Sequence, residues 1–114
     1  MSYPCQRDFH LNAFHEANIA RQHEALAPPH NLEQLVMCVQ EEVGELAAAV
    51  LGFTKAKKRK AHLTKDDVLD AVADAITYLS LVAGSVGCTD LETLLGETFN
   101  MVSDRAHSKI KVRV

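Results

Sequence analysis

The chain has 114 residues, 47% of them hydrophobic, with 12 basic against 15 acidic side chains and a net charge of -3. That length supports one hydrophobic core and not two, and the small acidic excess gives no general argument for nucleic acid as a partner. Three widely spaced cysteines, Cys5, Cys38 and Cys88, contain no CxxC pair and read as reduced thiols of a cytoplasmic protein.

The N-terminal stretch MSYPCQRDFH lacks an apolar run of signal-peptide length. No segment is expected to reach the roughly 20 apolar residues that span a bilayer, so no membrane role is expected. Asp8 is placed to cap a first helix from about Phe9 to Leu26, with Leu11, Phe14 and Ile19 facing inward. Ala-Pro-Pro-His ends it. Asn31, with Gln34 three residues on, forms a capping box for a second helix that runs to about Phe53. Five cations within Lys55 to Lys60 repel one another and predict an exposed loop. Thr64 and Asp67 mark a third helix start, and Val68, Leu69, Val72, Ala75, Ile76, Leu79 and Val82 carry the helical period to about Gly84. Thr89 and Glu92 repeat the capping pattern for a fourth helix to about Ala106, after which KIKVRV alternates like a short strand or extended arm. The whole chain, 1–114, therefore reads as a single all-α domain, a four-helix bundle with its core at about 9–106 and a C-terminal tail at 107–114. Apolar residues spread broadly around helices two and three favour a homodimer or homotetramer over a monomer.

The second helix carries the most informative stretch, LVMCVQEEVGELAAAVL, residues 35–51. Leu35, Val36, Val39, Val43, Leu46, Ala47 and Val50 form its apolar stripe, and Glu42 and Glu45 lie beside that stripe about 60° apart. Two neighbouring carboxylates at a core edge are driven to protonate unless a metal or a basic group compensates them. The third helix adds Asp67, Asp70 and Asp74 on one face, within about 60° of arc. Packed antiparallel, the two helices bring Glu42, Glu45, Asp70 and Asp74 around one point. Hard oxygen donors in that number select Mg²⁺, with Mn²⁺ as the alternative.

Glu41-Glu42-Val43-Gly44-Glu45-Leu46, then Asp70-Ala-Val-Ala-Asp74-Ala-Ile-Thr-Tyr-Leu79, then Asp90-Leu91 and Phe99-Asn-Met-Val-Ser-Asp-Arg105 resemble the MazG-type all-α nucleoside triphosphate pyrophosphohydrolases over about residues 32–111. The resemblance implies an ExxE pair at Glu42 and Glu45, a last metal ligand at Asp74, and phosphate contacts at Asn100 and Arg105. Two positions depart from the family pattern. Ala71 stands where the family has a glutamate, so Asp70, about 40° from Asp74 on the same face, is the expected substitute. Thr98 stands where a lysine is frequent, which moves the phosphate charge to Lys109 or to the loop cations Lys57 and Lys58.

The basic loop has no interleaved aromatic for base stacking, so nucleic-acid binding is not the expected role. The histidines show no HxxxH or Cys/His ligand spacing, and the ExxH pairs of a di-iron bundle are missing. His10, Phe14, His15, Asn18 and Arg21 are candidates for a base pocket on the first helix, His15 among them as a substrate-binding residue. The expected function is Mg²⁺-dependent hydrolysis of a nucleoside or deoxynucleoside triphosphate to monophosphate and pyrophosphate, in control of the nucleotide pool. Glu42 and Glu45 hold the ion and Glu41 or Glu45 takes the proton of the attacking water. The competing expectation is a non-catalytic helical module that binds nucleotide or a partner.

Overall fold

The computed structural model describes residues 10–58 and 62–114. They form four helices, α1 Leu11–Ala25, α2 Leu32–Phe53, α3 Lys65–Ser85 and α4 Leu91–Arg105, and no strand is present among the described residues. The all-α expectation holds. Local chemistry sets the ends. Asn31 Oδ1 accepts the Gln34 N–H while Gln34 Oε1 accepts the Asn31 N–H, both at 2.9 Å, which is the capping box foreseen for α2. Thr64 donates its N–H to Asp67 Oδ2 at 2.7 Å and its hydroxyl to the same oxygen at 3.0 Å. At the end of α3, Gly87 takes φ +92° and the Cys88 N–H returns to the Ala83 carbonyl at 3.0 Å. Glycine meets that left-handed requirement without steric cost.

Two helix starts differ from expectation. His10, without a side-chain cap, precedes α1, and Asp8 and Phe9 lie outside the described residues. For α4 the cap is Asp90, not Thr89: its Oδ1 accepts the Thr93 N–H at 3.0 Å. Glu92 is drawn elsewhere, its Oε1 accepting the Asn12 N–H at 3.1 Å and its own N–H donating to Asn12 Oδ1 at 2.9 Å. The start of α1 is thereby tied to the start of α4.

Helices α2 and α3 form the main packed pair, α1 lies along α3, and α4 rests on α1. The apolar stripes expected of α2 and α3 each split in two. On α2, Leu35 and Ala49 are buried, with Glu42 between them on the same side, whereas Val36, Val43 and Val50 are 40–50% exposed. On α3, Ala71, Ala75 and Leu81 are buried while Leu69, Ile76 and Leu79 lie open. The reason is size: small alanines let the two helices approach closely, and the larger residues are left on the outer faces. On α1 the deepest residues are the polar His15 and Asn18, not Leu11, Phe14 and Ile19. The radius of gyration is 17.0 Å, against about 13 Å for a compact chain of this length, so broad apolar faces remain uncovered. α3 is also long and apolar enough to cross a membrane by length and composition alone, with a mean hydropathy of 1.4, contrary to the expectation that no segment comes near that threshold.

The tail is neither strand nor free arm. Asn100 clasps Val112 from the side of α4, donating Nδ2–H to its carbonyl and accepting its N–H on Oδ1, each at 2.9 Å. Val114 sits over buried Gly96, where a Cβ would come within 3.0 Å of its methyl group. Lys111 adds an ion pair with Asp104.

Candidate functional site

The acidic residues gather where α2 faces α3, below the end of α1. Position 42 falls two turns from each of buried Leu35 and Ala49, so the stripe that packs α2 on α3 carries Glu42 toward it. Glu42 is half-buried, at the edge of the core as expected, and one of its oxygens, Oε2, is sealed from solvent with no hydrogen-bond partner. Burial is the largest influence on its carboxyl, and together with the neighbouring carboxylates of Glu45, Asp74 and Glu41 it raises the pKa above the ordinary 4.5. Tyr78, one turn beyond Asp74 on α3, is pushed up as well, by burial first and then by Cys38, Glu42, Glu41 and Asp74.

Two cavities meet at this cluster. The larger, about 400 Å³, is lined by Asn18, Arg21, Gln22, Ala25 and Leu26 of α1, His30 of the following connection, Glu42 of α2, and Asp74, Thr77, Tyr78 and Leu81 of α3. The smaller, about 300 Å³, is lined by Glu45, Ala48 and Ala49 of α2 with Leu63, Asp67, Asp70, Ala71 and Asp74. Asp74 borders both. Asp70 is exposed in the smaller cavity, and buried Ala71 leaves the space in which a longer acid could stand. Asp67 is spent on Thr64, whose backbone N–H holds its pKa below the usual 3.8 with help from the hydroxyl.

The four expected metal ligands are thus brought to neighbouring walls, though not into a closed cage. Among the described residues no three His, Cys, Asp or Glu side chains converge closely enough to hold an ion as they stand. The donor set nonetheless fits a hard divalent cation in its chemistry, because a buried carboxylate oxygen is left unpartnered and no described basic residue forms an ion pair with Glu42, Glu45, Asp70 or Asp74.

The expected substrate contacts are arranged differently. Neither cavity is lined by a residue of α4 or the tail. Asn100 is occupied by Val112, while Arg105 and Lys109 are exposed beyond it. Lys57 and Lys58 are exposed in the loop after α2, and Arg59 and Lys60 lie outside the described residues. His15 is corrected from substrate contact to packing: it is 1% exposed, its Nε2 meets the Cys88 carbonyl at 2.7 Å and its Nδ1 meets Ser80 Oγ at 2.6 Å. A carbonyl only accepts, so Nε2 carries the proton and the serine hydroxyl donates to Nδ1. Of the other base-pocket candidates, Asn18 and Arg21 do line the larger cavity. Asn18 gives Nδ2–H to the Thr77 carbonyl at 2.8 Å and accepts Arg21 Nη2 at 3.3 Å.

Gln22, Thr77 and Tyr78 were missed as wall residues. Spacing alone could have found them, since Gln22 follows Asn18 by four residues and Tyr78 follows Asp74 by four. No family model matches the chain, and neither the curated proteins nor the solved structures yield a match.

Proposed function

We propose that the chain is a Mg²⁺-dependent hydrolase that converts a nucleoside or deoxynucleoside triphosphate to its monophosphate and pyrophosphate, with the MazG-like enzymes as its relatives in design. The observation that carries this reading is Glu42 Oε2, a carboxylate oxygen sealed beside Glu45 and Asp74 with no described basic residue in an ion pair with it. Carboxylates crowded together at a partly desolvated site oppose one another's ionisation, at a cost to the fold. A bound cation removes that cost, and a triphosphate is the ligand that arrives with one.

Glu42, Glu45, Asp74 and Asp70 are the residues that hold Mg²⁺. When bound, the ion supplies countercharge to the phosphate oxygens and makes a nearby water a stronger acid. Glu41 or Glu45 accepts the proton as the water oxygen bonds to phosphorus and the bond to the pyrophosphate oxygen breaks. Arg21, in the wall of the larger cavity, provides a fixed positive charge from α1. A second copy of the chain covers the outer faces of α2, α3 and α4. The accessible surface of 8732 Å² exceeds the roughly 6,200 Å² of a compact monomer of this mass, and Val43, Leu79 and Phe99 are among the large apolar residues that lie open.

The test is pyrophosphate release from the common ribo- and deoxyribonucleoside triphosphates, with Glu45→Ala beside the wild type. The variant is expected to fold normally and to lose at least about a thousandfold in turnover, roughly 4 kcal/mol. Near-wild-type turnover in Glu45→Ala removes the metal assignment. One observation favours a module that binds nucleotide without hydrolysis, namely that no three ligating side chains converge among the described residues. Nucleotide binding with Mg²⁺ and no monophosphate product decides for it.

A further inference from the structure

Gln22 has no role in the hydrolytic scheme above, yet its placement is unusual. Its side chain forms part of the cavity wall, Oε1 is sealed from solvent, and no described protein group bonds either end of the amide. Asn18, one turn earlier, shows what a structural amide looks like in the same place: it is 4% exposed and spent on Thr77 and Arg21. A desolvated carbonyl oxygen left without a donor costs about 1–3 kcal/mol, so an amide held this way asks for a donor from a ligand.

We infer that Gln22 reads the nucleobase, and that the base it accepts carries an exocyclic amino group beside an unprotonated ring nitrogen, as adenine and cytosine do. The inference rests on the hydrolase reading for the placement of the phosphates at the acids. Tyr78 lies in the wall one turn of α3 beyond Asp74, about 6 Å, a span that a pentose bridges, and Gln22 of α1 lines the same cavity. Tyr78 supplies an aromatic face, and Leu26 and Leu81 supply apolar walls, the surroundings a flat base requires. The amide has its acceptor buried and its donor on the more open side. Adenine and cytosine meet it with an amino donor next to a ring acceptor, the pairing that glutamine makes with adenine in nucleic-acid recognition. On the edge that carries their carbonyl oxygen and ring N–H, hypoxanthine, guanine, uracil and thymine offer the opposite order and pair only if the amide turns over. Arg21 is the rival reader, because a guanidinium favours bases that present an oxygen.

The experiment is calorimetric titration of the full chain, in Mg²⁺, with the α,β-methylene analogues of dATP, dITP, dCTP and dUTP, compared in amino and oxo pairs. The amino member of at least one pair is expected to bind tenfold or more tightly than its oxo counterpart, and Gln22→Met is expected to bring the two within about threefold. Equal affinities in the wild type, failure of all four to bind, or tighter binding of the oxo members overturns the assignment, the last in favour of Arg21. The wild-type ratios decide even where Gln22→Met does not fold. Discrimination in binding with no pyrophosphate release from the hydrolysable counterparts leaves Gln22 in its role and removes the hydrolase.

Discussion

Two polar side chains on the same face of α1, His15 and Gln22, have opposite fates. His15 is closed within the protein, each ring nitrogen meeting one partner from the α3 side of the fold. Two turns along, about 10 Å, Gln22 and the Glu42 that faces the same cavity each hold an oxygen out of water with nothing to meet it. Nearly all buried polar groups in folded proteins are paired, so the first arrangement explains itself and the second asks for something from outside. Satisfaction, more than burial or residue type, separates the part of α1 that builds the fold from the part that serves a ligand.

The comparison can be broken at either end. The largest effect should come from His15→Ala, which opens a cavity and orphans both Ser80 Oγ and the Cys88 carbonyl. It is expected to cost about 3 kcal/mol of stability in urea denaturation, with nucleotide affinity unchanged in the fraction that folds. A cost under about 1 kcal/mol would mean that the buried network is slack.

Next is Asp70→Asn, expected to lower turnover about tenfold at limiting Mg²⁺, or 1.4 kcal/mol, and to do less at saturating Mg²⁺. Unchanged Mg²⁺ dependence would leave the ion to Glu42, Glu45 and Asp74. The smallest effect is on stability without metal. Because the folded pKa of Glu42 lies above its ordinary 4.5, the folded state holds that proton more tightly than the unfolded one. Its contribution therefore weakens stability as pH rises from about 4.5 through the raised value. Glu42→Gln should flatten that decline and raise stability above it by less than about 1 kcal/mol, and Mg²⁺ should restore the wild type alone. Asp67 and Asp90, both held below 3.8 by hydrogen bonds, work in the other direction and lose their contribution as pH falls through their lowered values.

Helix identities and most ends were legible in the sequence because caps and periodicity are local properties. Asn31 with Gln34 and Thr64 with Asp67 needed nothing from the rest of the chain. The errors share one cause. Thr89 gave way to Asp90, and Glu92 was claimed by Asn12, a residue 80 positions away that periodicity does not report. The expected stripe of α2 merged two faces because hydrophobicity does not say which face meets alanines. Within the site, Glu42, Glu45, Asp70 and Asp74 could be read as one cluster from spacing on two helices. The cavity wall from α1 could not, since it depends on how α1 crosses α3. Gly84 sets that approach, with Ile19 so near that a Cβ there would stand 2.5 Å from its Cδ1.

The clasp at the end of the fold constrains evolution unequally on its two sides. Asn100 grips the main chain of Val112, which every residue but proline offers alike, and Gly96 yields room by having no side chain at all. Substitutions among residues 109–114 leave the grip intact as long as an N–H and a carbonyl remain at position 112. The helix positions have no such latitude: a shorter amide surrogate at 100 loses reach and any side chain at 96 crowds Val114. Sequence drift in the tail is therefore compatible with a fixed path for it, and the record of that path is written in α4.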